Sequence, residues 1–494
     1  MNLKSLAKDT AIYGLSSIVG RFLNYLLVPV YTRVIMAESG GYGIVTNLYA
    51  YTALLLALLT FGMETTLFRF ANKDGEDEKM VYSTILRLVG VVCVAFLVLV
   101  FAFLGPVAGA LGYADHPEYV GCMAAIVALD AFQAIMFSRL RQQKRPVKFM
   151  ALKFAFIIPN ILLNLGIFLV LPKMGAAHPE LLDIFVKYNY GVGLIFFANL
   201  LCTFAVTFGF IRELRGIAYG FDKALAGRLL HYSWPLLILS LVGVFNQVAD
   251  KIIYPLVDSG PEGMVQLGIY GACVKIAMIM ALLTQAFRYA YEPIVFNGSR
   301  SKDSPETLAD GMKYFVIFTL LAFLAVVVYM PVLQLLIGQQ YRSGLAVVPI
   351  VMMAEIFMGI YFNLSFWYKL NDQTLWGAVM SAAGALVMVA VNVFGIPRWG
   401  YMACAWGGFA GYATAMLLSW FIGQKKYPIK YDMRTILGFF ALTLLLWGGY
   451  ALLGRTSLSG DGSTLGAWPL MAVGTLMIVL YCLAVLRVFK THKS

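Results

Sequence analysis

Six charged residues stand inside long apolar runs of this chain: Arg21, Asp130, Asp250, Lys251, Lys275 and Glu355. A charge at the centre of a bilayer costs about 2.5–3.5 kcal/mol even on the lenient insertion scale, so such residues pair with one another or serve a function. The chemistry on offer depends on sign. A guanidinium or ammonium group can hold an anion, whereas a buried carboxyl can exchange a proton or bind Na⁺. The bland alternative is a structural ion pair, such as Arg21 with Asp130, that ties two helices together. Spacing adds information. Ser240, Gly243, Gln247, Asp250 and Tyr254 recur at three- and four-residue steps, and Ser17, Gly20, Asn24 and Tyr31 keep the same register, so each set lines one helical face. Such a stripe faces another helix or a hydrated cavity, not lipid. Lys153 and Arg87 lie near the ends of their runs, where a long side chain can snorkel to the interface, and are set aside. Two acid–base neighbours, Glu64 with Arg69 and Arg288 with Glu292, occupy similar helix ends in the two halves and read as gate or interface salt bridges.

These residues need membrane-spanning helices to position them. The hydrophobic fraction is 61% and the charged fraction 13%, against roughly 25% charged in a soluble domain. About fourteen runs are long enough to cross a bilayer as helices. They are Ile12–Tyr31, Gly43–Phe61, Ile85–Leu104, Tyr119–Met136, Leu152–Leu171, Tyr190–Phe210, Ser233–Leu256, Leu267–Phe287, Tyr314–Ile337, Val347–Trp367, Trp376–Ile396, Met402–Ile422, Ile436–Leu453 and Leu465–Leu486. Pro159, with Asn160 and Asn164, is expected to kink the fifth. Lys4 and Lys8 precede a run too long for a cleavable signal, so it is read as the first span. Basic residues crowd alternate loops, as in Arg139, Arg141, Lys144, Arg145 and Lys148. The other loops carry only Arg33, Lys173, Lys187, Arg342, Arg398 and Arg455. That bias of roughly four to one puts both termini in the cytoplasm.

Other classes lack support. The net charge of +12 is spread over many loops and not gathered on one stripe, so no nucleic-acid partner is expected. The six cysteines fall inside apolar runs without a C-x-x-C pair, which indicates neither a disulfide framework nor zinc. No P-loop, H-E-x-x-H or G-x-S-x-G signature occurs, and neither an enzyme nor a metal or other cofactor is expected.

The halves repeat. LSSIVGRFLNYLLVPVY, ending at Tyr31, aligns with ILSLVGVFNQVADKIIY, ending at Tyr254. Tyr42-Gly43 matches Tyr270-Gly271, and ALLT at Ala57–Thr60 matches ALLT at Ala281–Thr284. An even number of helices per half makes the repeat parallel, the arrangement in which transporters place substrate between halves and alternate access. The expected units are 1–215, 216–430 and a C-terminal pair of helices over 431–494.

The segments ESGGYGIVTNLYAYTALLLALLTFGMETTLFRF, from Glu38 to Phe70, and VADKIIYPLVDSGPEGMVQLGIYGACVKIAMIMALLTQAFRYAYEPIVF, from Val248, carry a family resemblance. The chain resembles the polysaccharide transporter, or Wzx-type oligosaccharide flippase, branch of the multidrug/oligosaccharidyl-lipid/polysaccharide (MOP) export superfamily. The resemblance implies an all-α membrane fold of the MATE and MurJ type, with two six-helix lobes in a V and two further helices. It implies translocation of undecaprenyl-diphosphate-linked oligosaccharide across a bacterial inner membrane, for surface polysaccharide such as the O-antigen of lipopolysaccharide. Glycosyltransferases and a glycan polymerase are the implied partners, beside membrane lipids. For a diphosphate cargo Arg21 and Lys275 are the expected clamp, since arginine meets phosphate oxygens in a bidentate way. Ser17, Asn24, Gln247 and Lys251 share the polar faces and complete the expected substrate site. Asp130, Asp250 and Glu355 are the candidates for Na⁺ or proton coupling. A multidrug/cation antiporter of the same superfamily, a lipid II flippase and a membrane-embedded glycan polymerase or ligase are the alternatives.

Overall fold

The computed structural model describes residues 25–73, 75–174, 191–215, 217–218, 221–298, 304–371, 373–458 and 467–491, with Val19, Leu23 and Asp183 besides. Only the end of the first expected span is therefore in view, as Val28–Val34 (α1). The described residues form helices and no strand. Packing divides the chain into two units, Met1–Gly271 and Ala272–Ser494.

The first unit holds α1, Gly41–Thr60 (α2), Met63–Ala71 (α3), Glu78–Ala102 (α4), Pro117–Gln142 (α5), Pro146–Leu165 (α6), Val192–Thr207 (α7), Lys223–Val257 (α8) and the start of Pro261–Gly298 (α9). Helix α5 is its hub and touches α2, α4 and α7. Ile85, Val127, Ala131, Ile135 and Phe210 form the apolar centre around it. The second unit holds the rest of α9, then Ser304–Val328 (α10), Val347–Leu364 (α11), Leu375–Trp399 (α12), Met402–Lys426 (α13), Met433–Leu458 (α14) and Ala467–Thr491 (α15). The last two helices dock on α10. Tyr481 Oη donates to the Ile317 carbonyl at 2.9 Å, and Tyr450 Oη to that of Val328 at 3.0 Å.

Twelve described helices are long and apolar enough to cross a membrane. The expected twelfth span is present as α13, a 25-residue helix, but it falls outside that set because glycines dilute its hydropathy. They have a packing reason. A Cβ on Gly384 of α12 would lie 2.6 Å from the Gly411 carbonyl oxygen of α13, so the two backbones meet directly.

Interruptions in three of the described helices bear on the site. The second expected span breaks after Thr60: Phe61 and Gly62 both have positive φ, 51° and 67°, and α3 starts anew. Gly62 is required there, because a side chain at that φ is strained and its Cβ would meet Leu236 Cβ at 2.9 Å. Pro159 stands inside α6, and a π-helical stretch at Gly166–Val170 follows. Helix α8 contains Pro235 and Pro255. Each proline lacks an N–H, so the carbonyls of His231 and Lys251, four residues earlier, lose their usual helical donors.

Candidate functional site

The lysine- and arginine-rich loops mark one end of the helices, here the basic end; the opposite end is the far end. In the first unit a cavity of about 360 Å³ opens between α2, α3, α5, α6 and α7. Asp130, Gln133, Phe137 and Arg141 reach it from α5 at helical steps of three and four, which is one face. Lys153 and two phenylalanines come from α6, and Glu64 from the first turn of α3, just past the break. Irregular backbone at membrane depth is tolerated where it lines a cavity, and the break supplies Glu64 at that place. The Glu64 carboxylate accepts from Ser138 Oγ at 2.9 Å and from the Arg141 guanidinium at 2.8 Å. Gln133 Nε2 donates to the Thr203 carbonyl and to Thr207 Oγ1. Lys153 Nζ sits 4.1 Å from the centroid of the Phe137 ring. Two acids, two bases and an amide thus share one small chamber. One ion pair, Glu64 with Arg141, stands there beside the Asp130 carboxyl and the Lys153 ammonium, a set with the chemistry to hold a small cation or a proton.

The expected pairing of Glu64 with Arg69 is corrected. Five residues apart on a helix, they point in different directions. Glu64 pairs with Arg141, while the Arg69 guanidinium lies 4.2 Å over the Tyr232 ring. Arg288 and Glu292 do pair, at 3.3 Å and one turn apart on α9. Beside them is a group that was not anticipated. The Arg288 guanidinium stands 4.7 Å and Lys369 Nζ 4.6 Å from the centroid of the same Phe362 ring. One carboxylate and two cations around an aromatic face leave a net positive charge, suited to an anion.

At the far end, Asp250 accepts from Lys251 Nζ at 2.8 Å and from Tyr270 Oη at 2.6 Å. Gln247 is exposed, whereas Asp250 and Tyr254 are buried, so the polar stripe of α8 runs from accessible to sealed. The buried Asn47 of α2 donates from Nδ2 to the Lys251 carbonyl at 2.7 Å and accepts at Oδ1 from Tyr113 Oη at 2.6 Å. Burial pushes the Tyr113 phenol pKa up, which keeps it a neutral donor. Lys275 and Glu355 are half-buried and engaged with neighbouring groups. Arg21, Asn24 and Ser17 lie outside the described residues. The second unit also carries an apolar groove of about 610 Å³, with Phe323, Phe357, Trp420, Phe440 and Trp447 in its walls.

Sequence reasoning passed over Lys153, Arg141 and Gln133. Their signal was present: they share a helical face with Asp130 or stand opposite it.

A family profile described as polysaccharide biosynthesis protein matches residues 6–287. No curated protein matches the chain. Among solved structures, the lipid II flippase MurJ in an inward closed conformation has a TM-score of 0.72 at 12% identity, over 96% of this chain and 98% of that one. An inward-facing multidrug resistance MATE family transporter of the MOP superfamily has a TM-score of 0.64 at 13% identity, over 82% and 93%. The MATE multidrug transporter DinF-BH scores 0.59 at 16% identity, over 85% and 96%. The fold is therefore the one these transporters share.

Proposed function

The chain belongs to the polysaccharide biosynthesis protein family, and on that premise we propose that it is a flippase for undecaprenyl-diphosphate-linked oligosaccharide. It carries this cargo, chemically unchanged, from the cytoplasmic to the outer leaflet of a bacterial inner membrane by alternating access. The product feeds surface polysaccharide such as O-antigen, and glycosyltransferases and a polymerase act before and after it. The basic end and both termini face the cytoplasm. The observation that carries the reading is the extent of the fold: the likeness to a lipid II flippase spans 96% of the chain, against 82% and 85% for the two multidrug transporters.

The residues take roles that this cargo needs. Arg21 and Lys275 are each assigned to phosphate oxygens of the cargo, and Ser17, Asn24 and Gln247 to sugar hydroxyls. Arg288 and Lys369, gathered on Phe362, receive the anion at the cytoplasmic mouth, with Glu292 as the gate acid. Asp130 is the coupling acid, in a chamber whose other carboxylate, Glu64, is held by Arg141. Asp250 fits that role less well, since Lys251 and Tyr270 already hold it. Glu355 is the second coupling candidate. For the polyprenyl chain the aromatic groove of the second unit offers an apolar lining.

The test is reconstitution of the purified protein into vesicles with undecaprenyl-diphosphate-linked oligosaccharide in the inner leaflet. Protein-dependent exposure of the glycan to an added glycosidase is expected, lost with Arg21→Ala. Exposure equal to that of empty vesicles overturns the reading.

A further inference from the structure

The far ends of α2, α8 and α9 meet within the first unit at closely approaching glycines, at the Tyr270–Asp250 bond between α9 and α8, and at one buried amide that joins α2 to α8. A Cβ on Gly43 would lie 2.0 Å from the Met264 carbonyl oxygen, and one on Gly268 would lie 3.0 Å from the Gly43 nitrogen. A Cβ on Gly271 would lie 2.5 Å from Thr46 Oγ1. At these glycines the neighbour is backbone or the Thr46 hydroxyl, so few side chains interlock there. Something else must hold them together.

Pro255 supplies it. Inside α8 it has no N–H for the Lys251 carbonyl. A buried carbonyl without a donor is costly. Asn47 Nδ2 donates to that carbonyl at 2.7 Å from another helix. The amide cannot be turned the other way, because a carbonyl only accepts. Tyr113 Oη, from the loop before α5, fixes the same orientation by donating to Asn47 Oδ1 at 2.6 Å. Asn47 is 1% exposed; its bond from Tyr113 is buried and its bond to the Lys251 carbonyl partly buried.

We propose that Asn47 is a latch: its amide, seated on the carbonyl that Pro255 leaves open, holds α2 to α8 and keeps the far end shut. When the seam parts, water takes over the Lys251 carbonyl, which makes the latch reversible. A proline outside this register would leave nothing for Asn47 to grip, and a normal helical residue at 255 would satisfy the carbonyl from within α8. The latch therefore ties closure to a defect built into one helix. It goes beyond the flippase reading and does not depend on the cargo.

The test uses the full chain in membranes, with Thr46→Cys beside the seam as the reporter and a membrane-impermeant maleimide applied from the far side. The chain without the added cysteine is the control. Thr46→Cys is expected to be protected, and adding Asn47→Ala to speed labelling about five-fold, the equivalent of one net hydrogen bond. Adding Asn47→Ala on top of Pro255→Ala should change the rate less than about two-fold, because the carbonyl then has its own helical donor; non-additivity of this kind marks two residues acting through one contact. Tyr113→Phe, a mild change that keeps the ring, should raise labelling by a smaller factor and covers the case in which Asn47→Ala fails to fold. Labelling unaffected by Asn47→Ala, or by Tyr113→Phe where Asn47→Ala does not fold, or an equal increment from Asn47→Ala with and without Pro255, overturns the latch. None of these readings requires transport, so a wrong cargo assignment leaves the result intact.

Discussion

Two cations share the Phe362 ring, Arg288 at 4.7 Å and Lys369 at 4.6 Å. Like charges gathered on one ring repel, and an incoming anion relieves them. Lys369→Ala should therefore reduce glycan flipping about ten-fold, the loss of roughly one charge-assisted contact, while Lys369→Arg keeps most of it; equal transport by Lys369→Ala and the parent would remove Lys369 from the pathway. On the proposed coupling role of the first unit's chamber, Arg141→Ala, which removes the partner of Glu64, should leave the protein folded but uncouple flux from an ion gradient. Unchanged gradient dependence would assign that pair a purely structural part. Individual charges at membrane depth were legible in the sequence because each stands out against apolar neighbours. Their partners were not. Glu64 and Arg69 are near in sequence, yet they diverge around the helix, and Arg141 arrives from α5, 77 positions away.

Among the elements, the break between α2 and α3 shapes the candidate site, since it delivers Glu64 into the cavity with Asp130. The expected span Gly43–Phe61 ends at this break. A single glycine in an apolar run is a weak mark, and the positive φ of Phe61 and Gly62 is fixed by packing against α8 around Leu236. Gly62→Ala should lower the thermal midpoint, at a cost of about 1–2 kcal/mol from the left-handed backbone alone, with further loss from contact with Leu236. A midpoint unchanged by Gly62→Ala would mean that the break relaxes. Helix α13 shows the reverse limit of hydropathy. Its glycines lower the apolar signal, but they are what allow α12 and α13 to touch.

At the scale of the whole molecule, the all-helical membrane fold was readable because the bilayer demands long apolar helices, of which twelve stand among the described residues. The sequence repeat has its boundary near 215, and packing groups the chain separately, into Met1–Gly271 and Ala272–Ser494. Helix α8 opens the second sequence repeat and yet packs on α2 of the first unit. A repeat records similarity along the chain, whereas packing follows which faces are small enough to meet. The family assignment and the shared transporter fold leave the cargo to be tested directly. The decisive measurement is leaflet-specific labelling of undecaprenyl-diphosphate-linked glycan in cells depleted of this protein. The flippase account predicts that lipid-linked glycan accumulates on the cytoplasmic side and disappears from the outer leaflet, with recovery on re-expression; outer-leaflet glycan at undiminished levels in depleted cells would contradict it.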